Sequence, residues 1–302
     1  MTSKIYQSVY IESDTTGWQA WTRPSGTTML YIVTVGSGGG GGGGGSGVAN
    51  SSGGGGGGGA SYSTLLIPAI LIPEQLFIFV APPGTGGAAG IAGTNGSISY
   101  VSATPTVADA IISSGAAVAG GGAASNTTGA QSANGALGTA ALSSVYSFLG
   151  SYSTAVPSGN GGKGAVGTTT GQNVLAATSR ILGGGGGGTT TSNSTVFASN
   201  GGYSSLTSTS NSIFGASLGG QSSNSATAGN GQGGLLVNSV YTLRGWMPLG
   251  GGGGGGTGNG TAGNGGNGGT GCGGGGGGAA NTTGTAGKGG DGGPGLVVIL
   301  AW

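Results

Sequence analysis

Apolar positions in this chain fall into short runs separated by long polar or glycine-rich stretches, and none of the runs follows a helical period. Ile5 to Ile11 (IYQSVYI) and Met29 to Val35 (MLYIVTV) are rich in β-branched and aromatic residues and predict strands. Between them, Pro24, Ser25 and Gly26 predict a turn. Leu65 to Ile72 and Gln75 to Ala81 predict a further strand pair, punctuated by Pro68 and Pro73, and Leu296 to Trp302 predicts the last strand. Long β-branched runs occur only toward the two ends. The N-terminal and C-terminal strands are therefore expected in one sheet, with Trp18, Trp21 and Trp302 packed at its core or edge.

A second pattern lies between the strands. Uninterrupted glycine fills 38–45, 53–59, 183–188, 250–256 and 273–278. Flexible linkers mix Ser with Gly and do not recur at one size. Elsewhere glycine returns every third residue: Gly84, Gly87, Gly90, Gly93 and Gly96; Gly260, Gly263, Gly266 and Gly269 beside Gly265, Gly268 and Gly271; Gly284, Gly287, Gly290 and Gly293 beside Gly289, Gly292 and Gly295. Three residues per turn is the repeat of the extended polyproline-II-type helix, which has no internal hydrogen bonds. Buried helices of this kind must bond to one another. Two glycine columns let two faces touch neighbouring backbones. The third column projects side chains: Thr261, Asn264, Asn267 and Thr270 in one stretch, Thr285, Lys288, Asp291 and Pro294 in the next. The five pure tracts are expected as interior rods of matched length, roughly 19–25 Å each. Collagen needs longer Gly-X-Y runs with abundant proline, which this chain lacks.

Residues 98–245 are rich in Ser, Thr, Asn, Ala and Gly and read as surface loops and short strands that connect rods. Aromatic residues on such loops are the usual anchors of a binding surface. Tyr146, Phe148, Tyr152, Phe197, Tyr203 and Phe214 are the candidate receptor contacts, carried by loops at about 123–160 and 189–248.

Composition narrows the chemistry. Gly and Pro supply 83 and 9 of the 302 residues, a share typical of low-complexity chains, yet apolar residues reach 35% and only 4% are charged. Six basic and five acidic residues give a net charge of +1, with no cluster to neutralise nucleic-acid phosphates. With no His and one Cys, the chain offers no zinc-type ligand set and no Ser-His-Asp or Cys-His nucleophile. The glycines around Lys163 and Lys288 lack the Lys-Ser/Thr of a phosphate loop. Glu74 and Asp109 stand alone, and Lys288 with Asp291 reads as an exposed ion pair. Cys272, inside a glycine run, is expected to pack as a small apolar group. No catalytic residue, metal site or cofactor is expected. The most apolar stretch, 65–81, is too short and too broken by Pro68, Pro73 and Glu74 for a membrane span, so no insertion is expected. The first 18 residues lack the apolar core of a secretory signal.

Four segments carry a resemblance: Trp18-Gln19-Ala20-Trp21-Thr22-Arg23-Pro24-Ser25-Gly26-Thr27; Gly59-Ala60-Ser61-Tyr62-Ser63-Thr64-Leu65-Leu66-Ile67-Pro68; Phe77-Ile78-Phe79-Val80-Ala81-Pro82-Pro83-Gly84; and Gly290-Asp291-Gly292-Gly293-Pro294-Gly295-Leu296-Val297-Val298-Ile299. Together they resemble the glycine-rich domain of bacteriophage tail-fibre and other virion proteins. In style the chain is also similar to the tip adhesins of T-even-type phages, in which polyglycine-II helices pack side by side and present loops. The resemblance and the patterns imply one all-β glycine-rich domain over 1–302. It would have a β-sandwich-like core from terminal strands, a bundle of polyglycine-II helices over 36–295, long Ser/Thr/Asn-rich loops and almost no α-helix. The expected function is that of a virion structural protein, a tail fibre or adhesin assembled in the host cytoplasm. Its partners would be other virion proteins and a host surface glycan or outer-membrane protein. A homo-oligomer is expected, with a trimer favoured. The alternatives are a head-attached fibre or capsid decoration protein, and an ice-binding polyglycine-II protein using the Thr261–Thr270 column.

Overall fold

The computed structural model describes residues 5–11, 17–47, 50–122, 149, 151–167, 169–175, 181–191, 197–198, 201–202, 204–205, 216–223, 227–234 and 249–302. Its strands are β1 (Tyr6–Ile11), β2 (Gln19–Thr22), β3 (Met29–Val35), β4 (Tyr62–Pro68), β5 (Gln75–Phe79), β6 (Tyr100–Ser102), β7 (Ala110–Ser113), β8 (Ser153–Val156) and β9 (Leu296–Ala301), with several two-residue strands besides. They build two antiparallel sheets, β1-β9-β3-β4-β8 and β2-β5-β6-β7. Among the described residues helix is limited to short 3-10 turns such as Ala69–Leu71 and Val107–Asp109. The fold is all-β, as the pattern predicts, and the N-terminal and C-terminal strands share one sheet.

Period-two alternation aims one face of each sheet at the other. Leu30 and Ile32 of β3, Leu65 and Ile67 of β4, and Val297 and Ile299 of β9 meet Trp21, Leu76, Ile78, Val101, Ile111 and Ile112 of the second sheet in one buried cluster. Each fully buried Leu or Ile contributes roughly 1.5–3 kcal/mol. Two expectations need correction here. The runs 65–72 and 75–81 do not pair with each other, because β4 lies in the first sheet and β5 in the second. Their apolar positions face the same core from opposite sides, and the Pro68 to Pro73 segment carries the chain across. The middle of the sequence is also more than connecting loop. β6 and β7 complete the second sheet, and Val101, Ile111 and Ile112 are fully buried.

The first sheet is covered on its other face too. Val33, Val35, Leu296 and Val298 pack against Ile181, Leu182, Leu249 and Cys272. Three glycine tracts begin directly after these last residues, so an apolar residue seats each rod on the sheet.

Beyond the sheet the tracts are extended rods bonded on every side. In the tract 38–45, the N–H groups of Gly38, Gly41 and Gly44 donate to the carbonyls of Gly293, Gly290 and Gly287. Those of Gly39, Gly42 and Gly45 donate to Gly58, Gly55 and Ser52, and those of Gly40 and Gly43 to Thr94 and Ile91. The three-residue period thus sends successive N–H groups to three different neighbours. Its carbonyls accept from three more, through Gly84, Gly274 and Gly120 among others. The tract 273–280 is likewise surrounded: its N–H groups reach the rods at 182–188, 39–45 and 263–266, and its carbonyls accept from those at 251–257, 54–57 and 287–293. A Cβ on Gly41, Gly54, Gly187, Gly253 or Gly276 would lie 2.0–2.1 Å from a neighbouring carbonyl oxygen, so no L side chain fits. The five pure tracts are the interior rods. The mixed glycine segments form the wall.

The wall has its own bond. Asn264 Oδ1 accepts the N–H of Lys288 (2.9 Å), while the next residue, Gly265, donates its N–H to the Lys288 carbonyl (2.9 Å). Asn267 and Gly268 hold Asp291 in the same way (3.0 and 2.8 Å), and Asn230 and Gly231 hold Asn264 (2.9 and 2.8 Å). An Asn-Gly pair therefore clips a residue on the parallel neighbour at both its N–H and its C=O. Between antiparallel neighbours one Gln does this alone: Gln172 Oε1 accepts from Lys163 N–H, and Gln172 N–H donates to the Lys163 carbonyl. The side chain of Asp291 accepts the N–H of Gly86 on the following rod at 2.7 Å. Thr270, expected on the projecting column, is instead buried, because the chain turns at Gly271 with φ +74°.

Candidate binding surface

The rods leave the sandwich and turn back at a distal end. Gly47 and Gly90 turn there with φ of +92° and +73°, a region open to glycine. Asn50–Ser51, Thr190–Thr191 and Phe197–Ala198 form a small antiparallel sheet at this end, and Thr189 Oγ1 donates to the Ser51 carbonyl at 2.7 Å. Exposed positions of the distal turns include Ile91, Val166, Asn259, Thr261, Thr282 and Thr283. No charged residue occurs among the described residues of these turns, whereas Lys163, Lys288 and Asp291 project from the flank of the wall. This end can offer neutral hydroxyl and amide groups with a few apolar side chains.

Of the six candidate aromatic contacts, Tyr152 is 47% exposed and directly precedes edge strand β8 on the sandwich. Phe197 lies in the distal sheet opposite Thr191. The rods lie between the two, so these residues do not form one surface. Tyr146, Phe148, Tyr203 and Phe214 lie outside the described residues.

A different aromatic group does come together. Trp18, Phe79 and Tyr100 meet on the outer face of the second sheet, with ring centroids 5.6, 6.4 and 6.1 Å apart and planes tilted by 30–49°. All three are half-buried. Partial burial raises the Tyr100 phenol above its ordinary value. Phe79 and Tyr100 escape a reading by runs alone. The signal is the alternation in Gln75–Phe79, which turns Leu76 and Ile78 inward and Phe77 and Phe79 outward.

Cys272 is fully buried, as expected of a packing residue, and its Sγ accepts the Leu182 N–H at 3.3 Å. Burial pushes its thiol up to about 12, against a smaller lowering by that hydrogen bond. The folded state therefore keeps the proton that an unfolded chain releases near the ordinary value of 9.0. Cys272 favours the fold fully below that pH, and its contribution is lost as pH rises toward 12. Urea midpoints measured across pH 8–12 should fall more steeply for the wild type than for Cys272→Ala; parallel curves would contradict this. Among the described residues no group of three or more His, Cys, Asp or Glu side chains could hold a metal ion. Nor is any helix long and apolar enough to cross a membrane. No protein-family model matches this chain, and a search of curated proteins finds no match either.

Proposed function

We propose that the protein is a structural component of a tailed-phage virion, a fibre or adhesin whose turns and loops contact the host surface. One observation carries the reading: the interior rods spend their backbone groups on neighbouring rods and carry no side chains, so the bundle can offer recognition chemistry only from its wall and its turns. A rigid bundle that displays turns at fixed positions loses little ordering entropy on binding. The uncharged distal end suits a glycan or a neutral outer-membrane protein loop. Other virion proteins would be the assembly partners, and a trimer the oligomer.

The test exchanges residues 192–196 and 224–226 for unrelated polar segments of equal length. A wider exchange would cut into rods, since Ala228 and Gly231 donate to the carbonyls of Thr261 and Asn264. Assembled particles should adsorb to host cells at least about tenfold less, the loss of roughly 1.4 kcal/mol in binding. Their adsorption should depend only weakly on salt, because the chain has few charges. Unchanged adsorption by correctly assembled particles would move the function to a purely structural role.

A further inference from the structure

The same Asn-Gly dipeptides that lock the wall are chemically labile in an unfolded chain. The backbone nitrogen of the glycine attacks the Asn Cγ, a new C–N bond closes a succinimide, and the side-chain amide nitrogen leaves as ammonia. Water then opens the ring to Asp or isoAsp. Glycine hinders this attack least, because it has no side chain. The reaction needs a free Asn side chain and a glycine N–H that can lose its proton and approach Cγ.

In the wall neither condition holds. Asn230, Asn264 and Asn267 each have Oδ1 bonded to a neighbouring N–H at 2.9–3.0 Å, and Gly231, Gly265 and Gly268 donate at 2.8–2.9 Å. Asn95 is held similarly, by Ala119 N–H at 2.9 Å, with Gly96 donating to Ala117 at 3.0 Å. The glycine nitrogen points to the neighbouring rod, and the amide that it would attack is tied to that rod as well. Asn160 precedes Gly161, which is buried in its rod.

Asn259 is different. It is exposed in the distal turn between Thr257 and Thr261, the two residues that bridge to Ala280 and Thr285. Among the described residues its Oδ1 meets only the Thr283 hydroxyl, at 3.3 Å, and the Gly260 N–H only the Thr257 hydroxyl, at 3.3 Å. Long bonds to hydroxyl groups restrain less than backbone bonds of 2.8–2.9 Å. We propose that Asn259 is a self-modification site, converting spontaneously to Asp and isoAsp in the folded protein while the clipped asparagines keep their amides. Conversion places a negative charge on the distal turns. The extra backbone methylene of isoAsp is accommodated in a turn, whereas within a rod it would break the three-residue register.

Purified folded protein held at mildly alkaline pH, and a parallel sample in urea, are digested over time, and fragment-ion mass spectra assign each amide-to-acid conversion. In urea, positions 230, 259, 264 and 267 should convert at comparable rates. In the folded protein, position 259 should convert close to its urea rate, and the other three slower by roughly tenfold or more, since their exchange requires local opening of the wall. Conversion of Asn264 or Asn267 at the urea rate in the folded protein would overturn the proposal. So would an Asn259 as protected as they are. A variant Lys288→Pro deletes the N–H that holds Asn264 and keeps a φ that the rod already uses. It should speed conversion at Asn264 and leave Asn267 slow; an unchanged Asn264 would show that the clip is not the protecting element.

Discussion

Gly231→Ala should destabilise the protein by several kcal/mol, and Gly233→Ala, two residues along the same rod, should stabilise it slightly. The added Cβ at Gly231 would lie 1.9 Å from the Gly252 oxygen, a backbone atom held among interior rods. Ordinary contact needs about 3.4 Å or more, so one rod must move away from the other, and overpacking of this kind costs about 1–3 kcal/mol even where side chains can yield. At Gly233 the nearest atom is the Asn267 oxygen at 3.7 Å. There alanine only restricts the unfolded chain, worth about 0.4–1 kcal/mol in favour of folding. Gly276→Val, in the central rod, represents the limit: its Cβ would lie 2.0 Å from the Gly54 oxygen, and no soluble folded protein is expected. Thr261→Val on the exposed turn should stay within about 0.5 kcal/mol of the wild type. Soluble yield tests Gly276→Val, and urea midpoints test the other three variants. Equal midpoints for Gly231→Ala and Gly233→Ala would refute close backbone packing.

This contrast shows what the sequence makes legible. Pure glycine tracts can only be interior rods, because every direction around them is occupied by another backbone. Glycine columns of period three mark wall rods, because one face in three is free. Gly263 and Gly266 are buried as that pattern requires, while Asn264 and Asn267 project. β3 and β9 are equally plain, being long β-branched runs. What was not legible depends on partners remote in sequence. β6 and β7 are three and four residues long, with too few apolar positions to stand out, and they enter the core only because β6 pairs with β5 and β7 with β6. The sheet to which β5 belongs follows from a crossing at Ala69–Leu71 that no local preference dictates. Thr270 leaves its column because the chain turns one residue later. The Asn-Gly clip needs a parallel neighbour in register, which spacing within one rod cannot reveal. The sequence carries one further signal: an apolar residue, Leu182, Leu249 or Cys272, stands at the head of three pure glycine tracts, and these residues seat the rods on the sheet.

A chain that stops at Gly295 should fail to fold. β9 lies between β1 and β3 in the first sheet, and it is the described strand with which β1 pairs, from Tyr6 opposite Ala301 to Ile11 opposite Leu296. Removing it exposes both faces of the core at once. Val297, Ile299 and Ala301 leave the interface with the second sheet, and Leu296 and Val298 leave the seat of the rods. It also strips β3 of its hydrogen-bonded neighbour along Leu30 to Val35. The rod that enters β9 would then end unanchored, although its Gly287, Gly290 and Gly293 carbonyls hold the first interior rod. A single buried polar replacement, Ile299→Asn, should show the same fault in milder form and lower stability by about 2–5 kcal/mol, because it removes a core side chain and buries an amide without a designed partner. Leu300→Asn, on a half-buried position of the opposite face, should cost much less. The same topology dictates slow folding. Strands nearly 300 residues apart in sequence are neighbours, and the rods gain hydrogen bonds only from one another, so little local structure lowers the cost of closing these long loops. Dilution of the intact chain from urea should give a dominant refolding phase of seconds or longer. The truncated chain should show no cooperative unfolding transition. A urea midpoint for the truncated chain equal to that of the intact protein would mean that the last strand is dispensable and the sandwich closes without it.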